Sequence, residues 1–303
     1  MKKYGRDVIR NNIEMYSLFL PVAIIIIIFS YIPIYGVVVA FQNYAPGSPF
    51  IGPNVRWVGL THFIQFYNSP FFSRIMWNTV YLSMLGLFFT FWAPIIFTLL
   101  LNEVRHTKYK RFIQTASYLP HFISMVVVAG MAIAFVNTDG LINILLGPLG
   151  LDVKNHRLSA SAFPTIYTVT NIWKTFGFGS ILYFSALTSI DPNLYEAAKI
   201  DGANRIRQAW HITIPGLRNI IVINIILSVS QILGSNTEFI LLFYNPAIYE
   251  TSDVLGTYIF RLGIEGGRFS LTAAIGLFMS VIGFILAFSA NKISKKISGF
   301  GLW

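Results

Sequence analysis

The chain has 303 residues and only 34 charged side chains, 22 Lys+Arg against 12 Asp+Glu, which is 11% of the total and a formal net charge of +10. A soluble domain carries about 25% charged residues, and here 55% of positions are hydrophobic and 27 are Phe, so a water-facing globule and a disordered chain are both excluded and an integral membrane protein remains. With no cysteine, disulfides, thiolate catalysis and Cys-ligated metal are excluded too.

A bilayer core about 30 Å thick needs about 20 apolar residues of helix, because lipid offers the backbone no hydrogen-bond partners. The first such run is 18–41. It is longer than a secretory h-region and has no small-x-small cleavage site, so it reads as a retained helix. Two more follow at 75–101 and 112–136. The fourth, 162–187, is interrupted only by Lys174. Asn171 and Lys174 lie i,i+3 and share a face, with Tyr167 one turn earlier. A mid-span cation costs about 3 kcal/mol and calls for a carboxylate such as Glu238, or for water.

Between the fourth and fifth spans lies the loop 188–218, whose local signals are ordered. Asp191 before Pro192 starts a helix, since the carboxylate caps free N–H groups and Pro suits the first turn. Ala197 and Ala198 continue it, and Gly202 stops it. A second helical piece, 204–211, leads to Pro215. The expected shape is two short helices meeting at an angle near Gly202, flanked by Arg205 and Arg207, a rigid knob suited to another protein's cleft. The plain alternative is an interfacial amphipathic helix with an ordinary Gly cap.

The fifth span, 219–243, contains one charge, Glu238. Its polar residues Asn224, Ser228, Gln231, Ser235 and Glu238 recur at helical spacing and are expected along one face. Amides, hydroxyls and aromatic rings hydrogen-bond and stack on polar solutes, so this face and that of Asn171 and Lys174 can line a solute path. The same residue types also hold helices together. The sixth span is 269–290, free of charge.

Six spans put both termini on one side. Segments 1–16, 102–111, 188–218 and 291–303 hold 4, 4, 4 and 3 Lys/Arg, whereas 42–74, 137–161 and 244–268 hold 2 each. The basic excess therefore places the termini and the 188–218 loop in the cytoplasm. Anionic lipid accounts for the positive charge without a nucleic-acid partner. Prolines 21, 33, 94, 120 and 164 fall in or at the ends of spans, where they bend helices and free carbonyls. The whole chain, 1–303, reads as one all-α transmembrane domain without internal repeats.

Enzyme motifs are missing: there is no G-x-x-x-x-G-K-[ST], G-x-S-x-G or H-E-x-x-H, and His62, His106, His121, His156 and His211 form no i,i+4 pair for a metal. The expectation is a non-enzyme without a metal or cofactor of its own.

The run Glu196-Ala197-Ala198, then Asp201-Gly202-Ala203, then Ile214-Pro215 resembles the EAA signature of permease subunits of binding-protein-dependent ABC importers. Tyr118-Leu119-Pro120-His121-Phe122-Ile123-Ser124, Tyr244-Asn245-Pro246-Ala247, Tyr249-Glu250-Thr251 and Leu302-Trp303 are similar to carbohydrate-uptake permeases, in particular the polysaccharide or aldouronate-type branch. The resemblance implies a multi-pass cell-membrane subunit for import of oligosaccharides or other carbohydrates. It also implies a second permease chain, two cytoplasmic ATPase subunits carrying ATP and Mg, and an extracytoplasmic solute-binding protein facing loops such as 42–74. The aromatics of that loop, Trp57, Phe63, Phe66 and Tyr67, equally suit an interfacial belt. Glu196, Ala197, Ala198, Asp201, Gly202, Ala203 and Pro215 would then form the coupling element against the ATPase. The rival readings are an ion-coupled secondary carrier, weakened by the single acidic residue within the spans, and a membrane scaffold.

Overall fold

The computed structural model describes residues 2–150, 153–299 and 301–302, with the side chains of residues 2–12, 14, 297 and 298 set aside. Trp303, named above, and the side chains of Lys2, Lys3, Arg6 and Arg10, the four basic residues of segment 1–16, lie outside that set. The described chain is helical, with an isolated antiparallel bridge between Gln42 and Trp57. In order the helices are α1 (Lys2–Ile26), α2 (Thr61–Tyr67), α3 (Phe72–Asn102), α4 (Thr107–Tyr118), α5 (Met125–Val136), α6 (Leu141–Leu146), α7 (Phe163–Leu187), α8 (Pro192–Ile200), α9 (Arg205–Gln208), α10 (Ile214–Gly216), α11 (Arg218–Ser230), α12 (Thr237–Phe243), α13 (Tyr249–Ser252), α14 (Leu255–Phe260) and α15 (Phe269–Ser298). Two compact units result, residues 1–69 with 261–278, and residues 70–260 with 279–303.

In the first unit, α1 continues through a π turn, Ile27–Tyr31, into a tight 3-10 helix, Ile32–Phe41, which Pro33 opens. Together Met15–Phe41 make an apolar stretch of 27 residues, long enough to cross a bilayer. Its side chains point outward almost throughout, as lipid requires and water would not permit. The loop beyond it is fixed by the buried Gln42, whose side chain donates to the Phe50 carbonyl at 2.7 Å and whose own carbonyl lies 3.0 Å from Nε2 of His62.

The second unit is built on α3 packed along α7. Lipid tails are as apolar as the side chains they replace, so cohesion comes from close approach and interhelical hydrogen bonds. A Cβ at Gly177 of α7 would lie 2.0 Å from the Ser117 carbonyl oxygen of α4, and one at Gly256 would lie 2.0 Å from Oγ1 of Thr237, so both crossings require glycine. Between them a core gathers Leu82 of α3, Val128, Ala129 and Ala132 of α5, Phe163 and Tyr167 of α7, and Phe239 and Phe243 of α12. Asp253, fully buried, accepts from Thr257 Oγ1 at 2.9 Å and faces Arg74 at 3.8 Å, while Asn78 donates to the Asp253 and Glu250 carbonyls. The N-terminal end of α3 is thereby tied into the unit.

Among the described residues, four stretches are long and apolar enough to span a membrane: Met15–Phe41, Phe72–Asn102, Met125–Leu149 and Phe269–Lys296. A fifth arises if Arg205–Gly216 and Arg218–Ser230, bent by 64°, are taken together. Three expected spans differ from this. The 112–136 stretch is broken by a 3-10 turn at Leu119–Phe122, because Pro120 has no N–H to continue the ladder. The 162–187 stretch is one unbroken helix, α7, but its Asn, Thr and Lys side chains keep it out of the apolar set. The 219–243 stretch divides into α11 and α12, with residues 231–236 non-helical between them.

Candidate functional site

The break after α11 creates the site. Gln231 closes α11, Gly234 N–H returns to the Gln231 carbonyl at 2.8 Å, and Asn236 caps α12, its Oδ1 accepting from Phe239 N–H at 3.2 Å. Asn236 is also gripped by α7: its Nδ2 donates to Oδ1 of Asn171 at 2.8 Å, and its backbone N–H donates to the Tyr167 hydroxyl at 2.9 Å. Asn171 in turn donates to the Tyr167 carbonyl and Thr175 Oγ1 donates to the Asn171 carbonyl. The groups freed by unwinding are thus satisfied by a neighbouring helix, which is what allows irregular backbone at membrane depth.

Beside this junction, α3, α7, α11 and the 231–236 segment enclose a cavity of about 500 Å³. Its polar lining comes from Ser83 and Thr90 of α3, from Tyr167, Asn171, Thr175 and Tyr183 of α7, and from Asn224, Ser228, Gln231, Ser235 and Asn236. The buried hydroxyls of Ser83 and Ser235 have no protein partner. At Gly86 a Cβ would meet nothing within 4 Å, so its bareness adds open space to the wall. None of the lining residues carries a charge. Uncharged donors and acceptors beside aromatic rings can exchange hydrogen bonds with hydroxyl-rich solutes without the cost of stripping water from an ion.

The single helical face expected for Asn224, Ser228, Gln231, Ser235 and Glu238 is not what forms. Only Asn224 and Ser228 share α11; Gln231 is its cap, Ser235 lies in the break, and Glu238 sits exposed in the first turn of α12, away from the cavity lining. Their spacing presupposed a continuous helix. Gly234, Ser235 and Asn236 favour turns and caps over helix interior, and the contacts from α7 decide for the break.

Lys174 also lies outside the cavity lining. Its ammonium donates to the carbonyls of Pro120, His121 and Ile123, at 3.5 and 3.1 Å for the first two. The carbonyls released by the proline break are thus collected by a cation, and backbone dipoles supply the partner that a part-buried charge among apolar helices requires. Around this clasp His121 stacks on Phe178 at 3.9 Å between centroids, and Ser124 caps α5. Tyr118–Ser124, notable in the sequence only by resemblance, is therefore the hinge between α4 and α5. Asn236, Ser83, Thr90, Thr175 and Tyr183 were not singled out from the sequence; the Gly-Ser-Asn cluster at 234–236 is the turn signal by which the first of them could have been found.

The 188–218 loop has the two-helix shape expected. Asp191 Oδ1 accepts from Asn193 N–H at 2.9 Å, Pro192 opens α8, and α8 carries Glu196, Ala197 and Ala198. Asp201 caps its end, and Gly202 turns the chain at φ +73°. After Ala203, Asn204 caps α9 by accepting from Arg207 N–H at 2.9 Å. The helix runs on through a π turn, Ala209–Thr213, to α10 with Pro215, where the 64° bend into α11 begins. The elbow is stiffened from within: the Tyr195 hydroxyl lies 3.0 Å from Thr213 Oγ1, Gln208 Nε2 donates to the Ala203 carbonyl at 2.8 Å, and Gly216 makes room for Ile190. Leu194, Ile200, Ile206 and Trp210 remain exposed, an apolar surface on an otherwise polar loop.

Residues 95–299, which contain the elbow, α7 and the cavity's 231–236 segment, match the family of the binding-protein-dependent transport system inner membrane component. The chain belongs to this family. The permease is 39% identical over 290 residues to the polygalacturonan/rhamnogalacturonan transport system permease protein YteP of Bacillus subtilis (strain 168), covering 95% of this chain and 90% of that protein. It is 40% identical over 291 residues to protein LplB of the same organism, covering 95% and 91%. Among solved structures, it matches a bacterial ABC transporter involved in the import of the acidic polysaccharide alginate, with TM-score 0.87, 38% identity, and coverage of 98% and 99%. It matches that alginate transporter in complex with an alginate pentasaccharide-bound periplasmic protein at TM-score 0.88 and 37% identity, covering 98% and 99%. The permease is thus a multi-pass inner-membrane component of an ABC transport system, with the fold of an ABC importer permease.

Proposed function

We infer that this permease forms part of the passage for an oligosaccharide in an ATP-driven importer, with the α3–α7–α11 cavity as its contact with the solute. The observation that carries the reading is the uncharged lining of amides, hydroxyls and tyrosines around a space of about 500 Å³, at a break in a helix. The relatives named for polygalacturonan, rhamnogalacturonan and alginate make uronate-containing oligosaccharides the first class to test. Because the lining offers no cation, the sugar hydroxyls meet this chain and the carboxylates are met elsewhere in the complex.

The power source is a pair of cytoplasmic ATPase subunits holding ATP and Mg, docked on the α8–α9 elbow; this chain itself holds no cofactor and catalyses no reaction. Glu196 is the elbow's polar contact, Ala197, Ala198 and Ala203 its close-packed face, Asp201 and Gly202 its corner, and Pro215 its junction with α11. A second permease and an extracytoplasmic solute-binding protein complete the assembly. The membrane arrangement has six crossings with both termini cytoplasmic. The fourth is α7, made tolerable in lipid because Lys174 is collected by three carbonyls, and the fifth is the interrupted α11–α12 pair.

Uptake of labelled oligogalacturonides and of neutral oligosaccharides by cells carrying the transporter tests this. Uptake should vanish when the ATPase is deleted and persist with a protonophore. Uptake that collapses with the protonophore alone marks an ion-coupled carrier and ends the reading.

A further inference from the structure

The elbow is joined by the chain to α7 and α11, but α3, which forms a wall of the cavity, has no covalent link to it. A cavity of about 720 Å³ lies between the elbow and the end of α3, walled by Asn102, Glu103 and Arg105 on one side and Tyr195, Lys199 and Arg205 on the other. Across this gap Arg205 Nη1 meets Glu103 Oε2 at 2.8 Å. Glu103 is the cap residue at the C-terminal end of the 31-residue α3, the end where a helix dipole disfavours a carboxylate. Its sign is thus unfavourable to its own helix and favourable to the elbow.

Nine residues back from Glu103, about 13 Å along the axis, stands Pro94. Pro94 has no N–H for the Thr90 carbonyl, while its own carbonyl accepts from Thr98 Oγ1 at 2.7 Å. Thr90 and Pro94 both line the solute cavity. The segment from Pro94 to Glu103 rests on α7 through Phe97 against Phe176 and Phe184, with its interrupted hydrogen bond at the cavity wall and its tip in the ion pair.

We propose that the Glu103–Arg205 ion pair is a positioning strut that makes the inner end of α3 follow the elbow, so that elbow displacement reaches the cavity wall at Thr90–Pro94 as well as α7 and α11. The proposal rests on the coupling role inferred above for the elbow. Both side chains are about half exposed, so the pair contributes little to stability; its role is to transmit displacement across a space that packed side chains do not fill.

The test uses the whole transporter in proteoliposomes. Uptake per ATP hydrolysed is measured with labelled oligogalacturonides. Independently of any sugar, spin labels at Leu100→Cys and Ile206→Cys report the α3–elbow distance with and without Mg-ATP and vanadate. In the wild-type background the distance should stay the same in both states. Glu103→Gln should make it change with nucleotide and lower uptake per ATP about two- to fivefold, the range for losing an exposed pair, while ATP hydrolysis continues. The exchange Glu103→Arg with Arg205→Glu should restore both. If Glu103→Gln leaves coupling and distance unaltered, or the exchange restores neither, the strut is overturned. If the wild-type complex neither binds the ATPase through the elbow nor couples hydrolysis to uptake, it is the coupling reading that fails.

Discussion

Gly202 shows how a single residue fixes the elbow. Its φ is +73°, yet a Cβ there would meet nothing within 4 Å. The obstacle to substitution is therefore backbone conformation alone, about 1–2 kcal/mol for an ordinary side chain in the left-handed region. Gly202→Val should reduce uptake at least tenfold with membrane insertion intact, as shown by fractionation and immunoblot, and Gly202→Asn should retain most of it, because Asn tolerates that region. Asn236 is the opposite case, a residue that acts largely through its side chain, which caps α12 and bonds Asn171. Asn236→Ala leaves the Asn171 amide oxygen and the Phe239 N–H unpaired, at about 1–3 kcal/mol for each buried group. The purified permease should then melt at lower temperature and transport poorly.

At the scale of elements, two interrupted helices are held by one intact helix. α7 collects the α4–α5 break with Lys174 and the α11–α12 break with Asn171 and Tyr167, and it approaches α4 closely because Gly177 lies against the Ser117 backbone. Gly177→Val cannot fit and should abolish accumulation of the folded protein. Gly86→Ala, where no atom stands within 4 Å, should accumulate normally and affect only passage through the cavity, read as a changed KM for uptake. Lys174→Met removes the donor from three carbonyls, and thermal melting should report the loss with partial recovery in Lys174→Arg.

For the whole molecule, orientation is the quantity to measure, and a chain with no cysteine allows single introduced thiols to be read without background. Asn68 and His106 are both exposed and flank the apolar helix α3. With basic residues retained inside, Asn68→Cys should react with a membrane-impermeant maleimide on intact cells, and His106→Cys only after the membrane is opened. The reverse pattern would invert the topology and put the elbow on the wrong side for an ATPase.

The sequence by itself determined the class, the shape of the elbow and three of the apolar stretches, 18–41, 75–101 and 269–290, because these depend on composition and on neighbours within a few residues: Asp191 capping α8, Pro192 opening it, Gly202 ending it, and long runs that water would not accept. What only the tertiary structure decided are the two breaks and their consequences. Whether 231–236 unwinds depends on Tyr167 and Asn171, 65 to 69 positions away, and whether Lys174 meets carbonyls or a carboxylate depends on Pro120 to Ile123, 51 to 54 positions away. A polar residue in a membrane must find a partner, and periodicity records that need without recording who answers it. The cavity follows from those answers, since the residues around it converge only once the 219–243 stretch has been broken.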